Sequence, residues 1–314
     1  MGLFFSKKRS DGKVVKGEDP LIRMTPFIMR GRNEAVIYFP RSYDIEAIQT
    51  FIQDQRARGK RITLFNIIAA SMLQTIFRRP KINRFIAGRR LYEHNDVSIL
   101  YAVKARMTDD ALESIAKVEF NPDDTIYDVA ERMKSNTDMI KDGKLKTDDK
   151  FIHFVSKLPR SILQFALWII RLMDFYGIMP KALMDAIPLY SSVYISHIGS
   201  VGADAPFHHL YEFGTTSIFI TIGRVYEAPY KNKDGELEWR QTVDLKFSID
   251  ERICDGFYLI KSMKVFDKFM NNPSLLELSP KEHDEIHEKR MERIRQRRDK
   301  RANLSKDADT NTIS

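Results

Sequence analysis

The 314 residues, 43% of them hydrophobic and 11% aromatic, supply a core for one large domain or two small ones. The single cysteine, Cys254, excludes an intramolecular disulfide framework and is compatible with a reducing, cytoplasmic setting. The net charge of +8 is concentrated in the tails, +3 over residues 1–23 and +6 over 289–301, so the body is near neutral and nothing argues for a nucleic-acid groove.

Residues 1–22 read as a polar tail. Its opening, Met1-Gly2-Leu3-Phe4-Phe5-Ser6-Lys7-Lys8-Arg9, lacks the apolar stretch of a signal peptide and fits a myristoylation pattern at Gly2. A frayed end is the plainer reading. Ala35–Phe39 is a short apolar strand, after which Asp44 caps a helix with Ile45, Ile48, Phe51 and Ile52 at helical spacing. Leu64–Arg78 is a second helix, apolar on most sides and therefore buried, and Pro80 stops it. Phe85–Arg106 reads as two strands, the second Val97–Val103, and Thr125–Ile140 as an amphipathic helix.

Further on, Val193–His197, Ser217–Glu227 and Trp239–Ile249 are β-rich, with a turn signal at Lys231-Asn232-Lys233-Asp234-Gly235. Gly256–Met270 is the last core helix, closed by Asn271-Asn272-Pro273. This alternation fits an α/β sandwich on a mixed sheet better than a doubly wound parallel one. Two segments stand apart. Ile162–Ile170 is apolar but too short to span a bilayer, which needs about 20 apolar residues; it reads as a buried or interface helix, with a helix lying on a membrane as the minor alternative. Pro280–Ala302 is almost wholly charged, a solvated helix running into a disordered tail.

Four blocks carry a family resemblance. They are Arg79-Pro80-Lys81-Ile82-Asn83 leading to Glu93-His94-Asn95-Asp96-Val97; Ile195-Ser196-His197-Ile198-Gly199-Ser200-Val201-Gly202; Ile222-Gly223-Arg224-Val225; and Ser248-Ile249-Asp250-Glu251-Arg252-Ile253-Cys254-Asp255-Gly256, followed by Asn272-Pro273. In this order they resemble the catalytic domain of the dihydrolipoyl acyltransferases of 2-oxoacid dehydrogenase complexes, within a chloramphenicol acetyltransferase-like superfamily. The resemblance implies a tail over 1–22, an acyltransferase-like domain over 23–278 with a divergent apolar helical insertion at 145–190, and a charged helix and disordered tail over 279–314. It also implies a homotrimer with each active site between two subunits. No cofactor would be bound permanently; CoA or acyl-CoA, or a lipoyl-type thiol, would be a co-substrate beside a small-molecule acceptor. Too few residues precede position 20 for a lipoyl domain, so a lipoyl arm would come from another chain.

Carried over residue by residue, the oxyanion-holding serine is Ser196 and the structural aspartate is Asp255, with Arg30 or Arg32 as its arginine partner. The catalytic histidine's place is taken by Glu251. A thiol titrates near about 8.5, histidine near about 6.5 and glutamate near about 4.3, so an unperturbed glutamate base costs on the order of 3 kcal/mol more than histidine. Burial that raises Glu251 would recover much of this. The competing reading is a catalytically inactive scaffold or regulatory protein of the same fold, with Glu251 a surface residue. His197, His208 and His209 lie near the serine loop as possible site-organising groups, each more simply an ordinary surface or core histidine. His283 and His287 are four apart but lack the order of a zinc-binding pair, and no metal is expected. Peripheral membrane contact through 158–180 and the basic tails is a further, weaker expectation.

Overall fold

The computed structural model describes residues 9–104, 113–142, 157–232, 234–289 and 291–293. The described residues include part of the segment expected to be a polar tail. Arg9 is buried, its guanidinium 2.8 Å from both Asp11 and Asp174, and strand β1 (Gly12–Val14) follows. Helix α1 (Pro20–Ile28) starts where the Asp19 carboxylate accepts the Leu21 N–H. Strand β2 (Val36–Asp44) continues past the expected end at Phe39, so Asp44 closes the strand. Its carboxylate still accepts the Glu46 N–H, at 2.9 Å, where helix α2 (Glu46–Ala57) begins. Helix α3 (Leu64–Arg78) has the expected bounds, fixed by a reciprocal cap between Thr63 and Asn66. Pro80 then opens a single 3-10 turn.

The strand expected from Phe85 is two strands, β3 (Arg84–Ala87) and β4 (Arg90–His94), ahead of β5 (Val97–Lys104). Gly88 and Arg89 join them at φ 53° and 59°, the left-handed pair of a type I′ turn. Strand β6 (Glu113–Phe120) was not legible in the sequence, whereas helix α4 (Ile126–Lys141) lies as expected behind a Thr125–Asp128 capping box. Helices α5 (Arg160–Tyr176) and α6 (Lys181–Asp185) fill the divergent segment. Strands β7 (Val193–His197), β8 (Ile218–Lys231) and β9 (Leu237–Asp250) and helix α7 (Gly256–Asn271) complete the domain. Residues 280–289 are helical, and most of the charged stretch beyond them, like Met1–Lys8, lies outside the described residues.

The main sheet has six strands in the order β2-β9-β8-β7-β5-β6. Strands β5, β7 and β8 run parallel and the other pairs antiparallel, giving the expected mixed sheet. Side chains alternate across it. Val193, Ile195, Ile218, Ile220, Leu245 and Phe247 face α2, α3, α4 and α7 and share one buried cluster with Ile48, Ile67, Leu73, Val129 and Phe266. Truncating one of these to alanine costs about 2–5 kcal/mol. The opposite face carries a smaller cluster of Leu100, Tyr194, Leu210 and Phe219, covered by the loop before β8. Strands β1, β4 and β3 form a separate three-stranded sheet.

Candidate active site

Ser196 and His197 are the last two residues of β7, and the pleat sends them to opposite faces. His197 joins the helix side, its ring stacked on Phe65 of α3 at 6.0 Å and 7°, where burial lowers its pKa. Ser196 takes the other face, on the same rung as Thr221 of β8 and Lys246 of β9. The Thr221 hydroxyl is buried without a partner among the described residues. Just past Ser196 the chain turns through Ile198–Val201, pressed so closely on β8 that a Cβ at Gly199 would lie 2.0 Å from Gly223 O. Here glycine is required by contact, not by φ.

At the far end of β9, Asp250 and Arg252 form a buried two-point ion pair, Nε to Oδ1 at 2.8 Å and Nη2 to Oδ2 at 2.7 Å. Arg252 also donates to the carbonyls of Met29 and Arg30, at 2.9 and 3.3 Å, tying the end of α1 to the motif. Glu251 lies between the pair with its side chain exposed; its backbone N–H donates to Ala35 O at 2.9 Å. Cys254 is buried, as expected for a packing residue, and burial together with the Asp255 charge pushes its thiol up to about 12. Asp255 caps α7, accepting the Tyr258 N–H at 2.8 Å.

The expected arginine partner of Asp255 is not made within the chain. Arg32 is buried elsewhere, donating to the carbonyls of Tyr211, Ile86 and Gly214. Burial lowers its pKa, opposed by the field of Asp250. Arg30 is exposed and uses its own backbone N–H toward Glu34, at 2.9 Å. The buried arginine–carboxylate pair of the motif is instead Asp250 with Arg252, two residues apart at the end of an apolar strand. The flanking DxR pattern was the available signal.

His208 and His209 lie on the loop covering the second face. His208 stacks on Phe219 at 3.9 Å and 4°, and Phe219 on Tyr194 at 4.6 Å. This puts His208 on the face of β7 that also carries Ser196. Burial lowers the His208 pKa, and its Nδ1 is 2.7 Å from His209 O. His209 stacks on His208 at 4.5 Å and remains exposed. His283 is remote from this site, with Nε2 2.7 Å from Leu275 O. Among the described residues no three His, Cys, Asp or Glu side chains cluster for a metal.

Ser196 and Glu251 do not meet within one chain. Ser196 shares its rung with Lys246, five positions before Glu251, and two strands separate it from β9's outer neighbour β2. That places them roughly 16 Å apart along the strands and about 10 Å across them.

Residues 190–278 match the family model of the 2-oxoacid dehydrogenases acyltransferase (catalytic domain). The matched stretch runs from β7 through α7 and holds Ser196, Glu251 and Asp255, whereas Arg30 and Arg32 precede it. The resemblance read from the motifs is thereby borne out, in divergent form, since no curated protein matches the sequence. A likeness in fold extends beyond the matched stretch. The chain is similar to a probable dihydrolipoamide acetyltransferase from Listeria monocytogenes, at TM-score 0.53 and 14% identity over 82% of this chain and 94% of that one. It is also similar to the cubic core of a pyruvate dehydrogenase multienzyme complex, at TM-score 0.55 and 15% identity over 84% and 95%. A truncated catalytic core of the 2-oxoacid dehydrogenase multienzyme complex from Thermoplasma acidophilum aligns at TM-score 0.52 and 14% identity over 82% and 98%. At these identities the likeness shows the fold alone, and the chemistry rests on the residues.

Proposed function

We propose that this acyltransferase-type domain moves an acyl group between a CoA or lipoyl-type thiol and a small acceptor, at a site formed between two copies of the chain in a homotrimer. The observation that carries the proposal is the separation of Ser196 from Glu251, five positions along the strands and two strands across the sheet. Two groups of one active site that cannot meet in one chain can meet across an interface, as the resemblance to trimeric acyltransferases implies. In this reading the Ser196 hydroxyl donates to the oxyanion of the tetrahedral intermediate, and Glu251 of the neighbouring copy accepts the thiol proton or orients the acceptor. Asp255 holds the turn that presents Glu251, through the cap of α7. The interface would supply the desolvation that a glutamate base needs and that a single chain does not. No resident cofactor takes part, and a cytoplasmic location fits the lone buried thiol.

Subunit mixing tests this directly. Ser196→Ala and Glu251→Gln chains should each be nearly inactive in acyl-CoA turnover, and unfolding and refolding them together should restore about a quarter of wild-type activity, since one site in four then combines both intact residues. Inactive mixtures, with heterotrimers confirmed by mass, would refute the shared site.

A second reading has its own support: Glu251 is exposed and Asp255 serves as a helix cap. It treats the chain as a catalytically inactive scaffold or regulator of the same fold. Micromolar acetyl-CoA binding with thioester turnover abolished by Glu251→Gln would eliminate it.

A further inference from the structure

Helix α5 contains no buried residue although it is apolar on two sides. Its inward side, including Ile170 and Met173, packs on Met179, Met184, Ile187 and Tyr190. The outward side repeats Ile162, Phe165, Trp168, Leu172 and Phe175 at helical spacing, all exposed, with Phe165 at 61% and Trp168 at 58%. The rings of these two stack at 6.0 Å. The buried or interface helix expected from the sequence is thus half realised: one side has a partner and the other has none among the described residues.

The charge around that side is one-signed. Lys157, Arg160 and Arg171 are exposed at its edges. The one acid of the helix, Asp174, points inward to Arg9, which donates to both its carbonyl at 2.8 Å and its carboxylate at 2.8 Å. Arg9 is thereby held against this end of α5. A second apolar surface adjoins it. Leu21, Met24, Phe27 and Ile28 of α1 are exposed, the Arg89 guanidinium lies 5.7 Å from the Phe27 ring, and the neighbouring Gly88 abuts Phe175 O. The β3–β4 turn thus joins the two surfaces, with Arg23 exposed on α1 beside the second.

We propose that the outward face of α5, with the exposed face of α1, docks on an anionic lipid bilayer and lies in its interface. Aromatic and aliphatic side chains flanked on α5 by cations, with the exposed acids Asp19 and Glu34 confined to the two ends of α1 where each accepts a backbone N–H, match a surface of acyl chains beneath negative headgroups. Trp168 suits the boundary, where an indole keeps its N–H among polar groups. Self-pairing of this face about a two-fold axis would instead set Arg160 and Arg171 against the same cations of the second copy. Docking stays superficial, since no described helix is long and apolar enough to cross a membrane. Such a surface would present the acyltransferase-type site to acceptors at the bilayer, and it stands whether or not that site is active.

The test is co-sedimentation of the full chain with phosphatidylcholine vesicles containing about a third phosphatidylserine, at low salt. Binding is expected to the mixed vesicles and to fall at least tenfold on pure phosphatidylcholine, at high salt, or in Phe165→Glu/Trp168→Glu and Arg160→Glu/Arg171→Glu chains. In a Trp239→Phe background, Trp168 fluorescence should shift to the blue on the mixed vesicles. Circular dichroism and native mass of the variants should equal those of the parent. Absence of sedimentation with the mixed vesicles at low salt overturns the proposal. So does a change of native mass in the Phe165→Glu/Trp168→Glu chain, which would assign the face to another copy.

Discussion

Arg252 grips Asp250 through two hydrogen bonds of 2.8 and 2.7 Å, and both side chains are withdrawn from solvent. Removing either partner leaves an uncompensated buried charge, a loss of about 3–5 kcal/mol. Urea unfolding of Asp250→Ala or Arg252→Met should show a midpoint shift of that size. Arg252→Lys should not rescue it, because an ammonium cannot make the two-point contact and also reach Met29 O.

Asp255 acts through the backbone of α7. Asp255→Ala should destabilise the chain by about 1 kcal/mol through the lost cap, and Asp255→Asn should restore most of that. Thermal unfolding of the two variants separates the cap from any role of the charge. A cap alone predicts that Asn also restores turnover.

The turn after β7 has no room for a side chain. Gly199→Ala would place a Cβ 2.0 Å from Gly223 O, so one of the two backbones must move. A stability loss of about 1–3 kcal/mol is expected from the overpacking. Since the shift begins three residues from Ser196, acyl-CoA turnover should fall further than stability does.

Cys254 should resist alkylation in the native state. Burial and the nearby Asp255 raise its thiol to about 12, so almost no thiolate exists at neutral pH. Iodoacetamide followed by mass spectrometry should label it in urea and leave the folded chain unmodified.

His94 supplies a pH dependence of stability. Burial, partly offset by Asp11, lowers its pKa to about 4, and Lys117 and Arg9 act in the same direction as burial. The unfolded imidazole, near about 6.5, takes up a proton first as pH falls. Stability from this residue is therefore intact above the unfolded value and declines between about 6.5 and about 4. In urea midpoints against pH, His94→Phe should flatten that interval.

Much of this architecture was legible because local signals agreed with the tertiary answer. Helix α3 was bounded correctly since an apolar run ended at Pro80, and β7, β8 and β9 alternated as buried strands should. Strand β1 was missed because three residues carry no period. The β3–β4 turn was missed because Gly88-Arg89 takes a left-handed geometry usually announced by Asn-Gly. Of the candidate residues, the sequence placed Ser196 on a strand and Glu251 just past one but not their separation, which depends on strands pairing out of chain order. The Asp250–Arg252 pair was not foreseen, since ion-pair choice depends on which carboxylate is buried, and Asp250 is at the core while Asp255 faces solvent.

Among the described residues Glu251 is anchored by its main chain, through the bond to Ala35 O, while Asp250 and Arg252 on either side lock the turn. The turn therefore works as a socket whose shape does not depend on the side chain plugged into it. A carboxylate or an imidazole can occupy position 251 without reshaping the scaffold. Reactivity in this fold is thereby uncoupled from architecture at a single residue, and a chain can change its chemistry, or lose it, while keeping its shape.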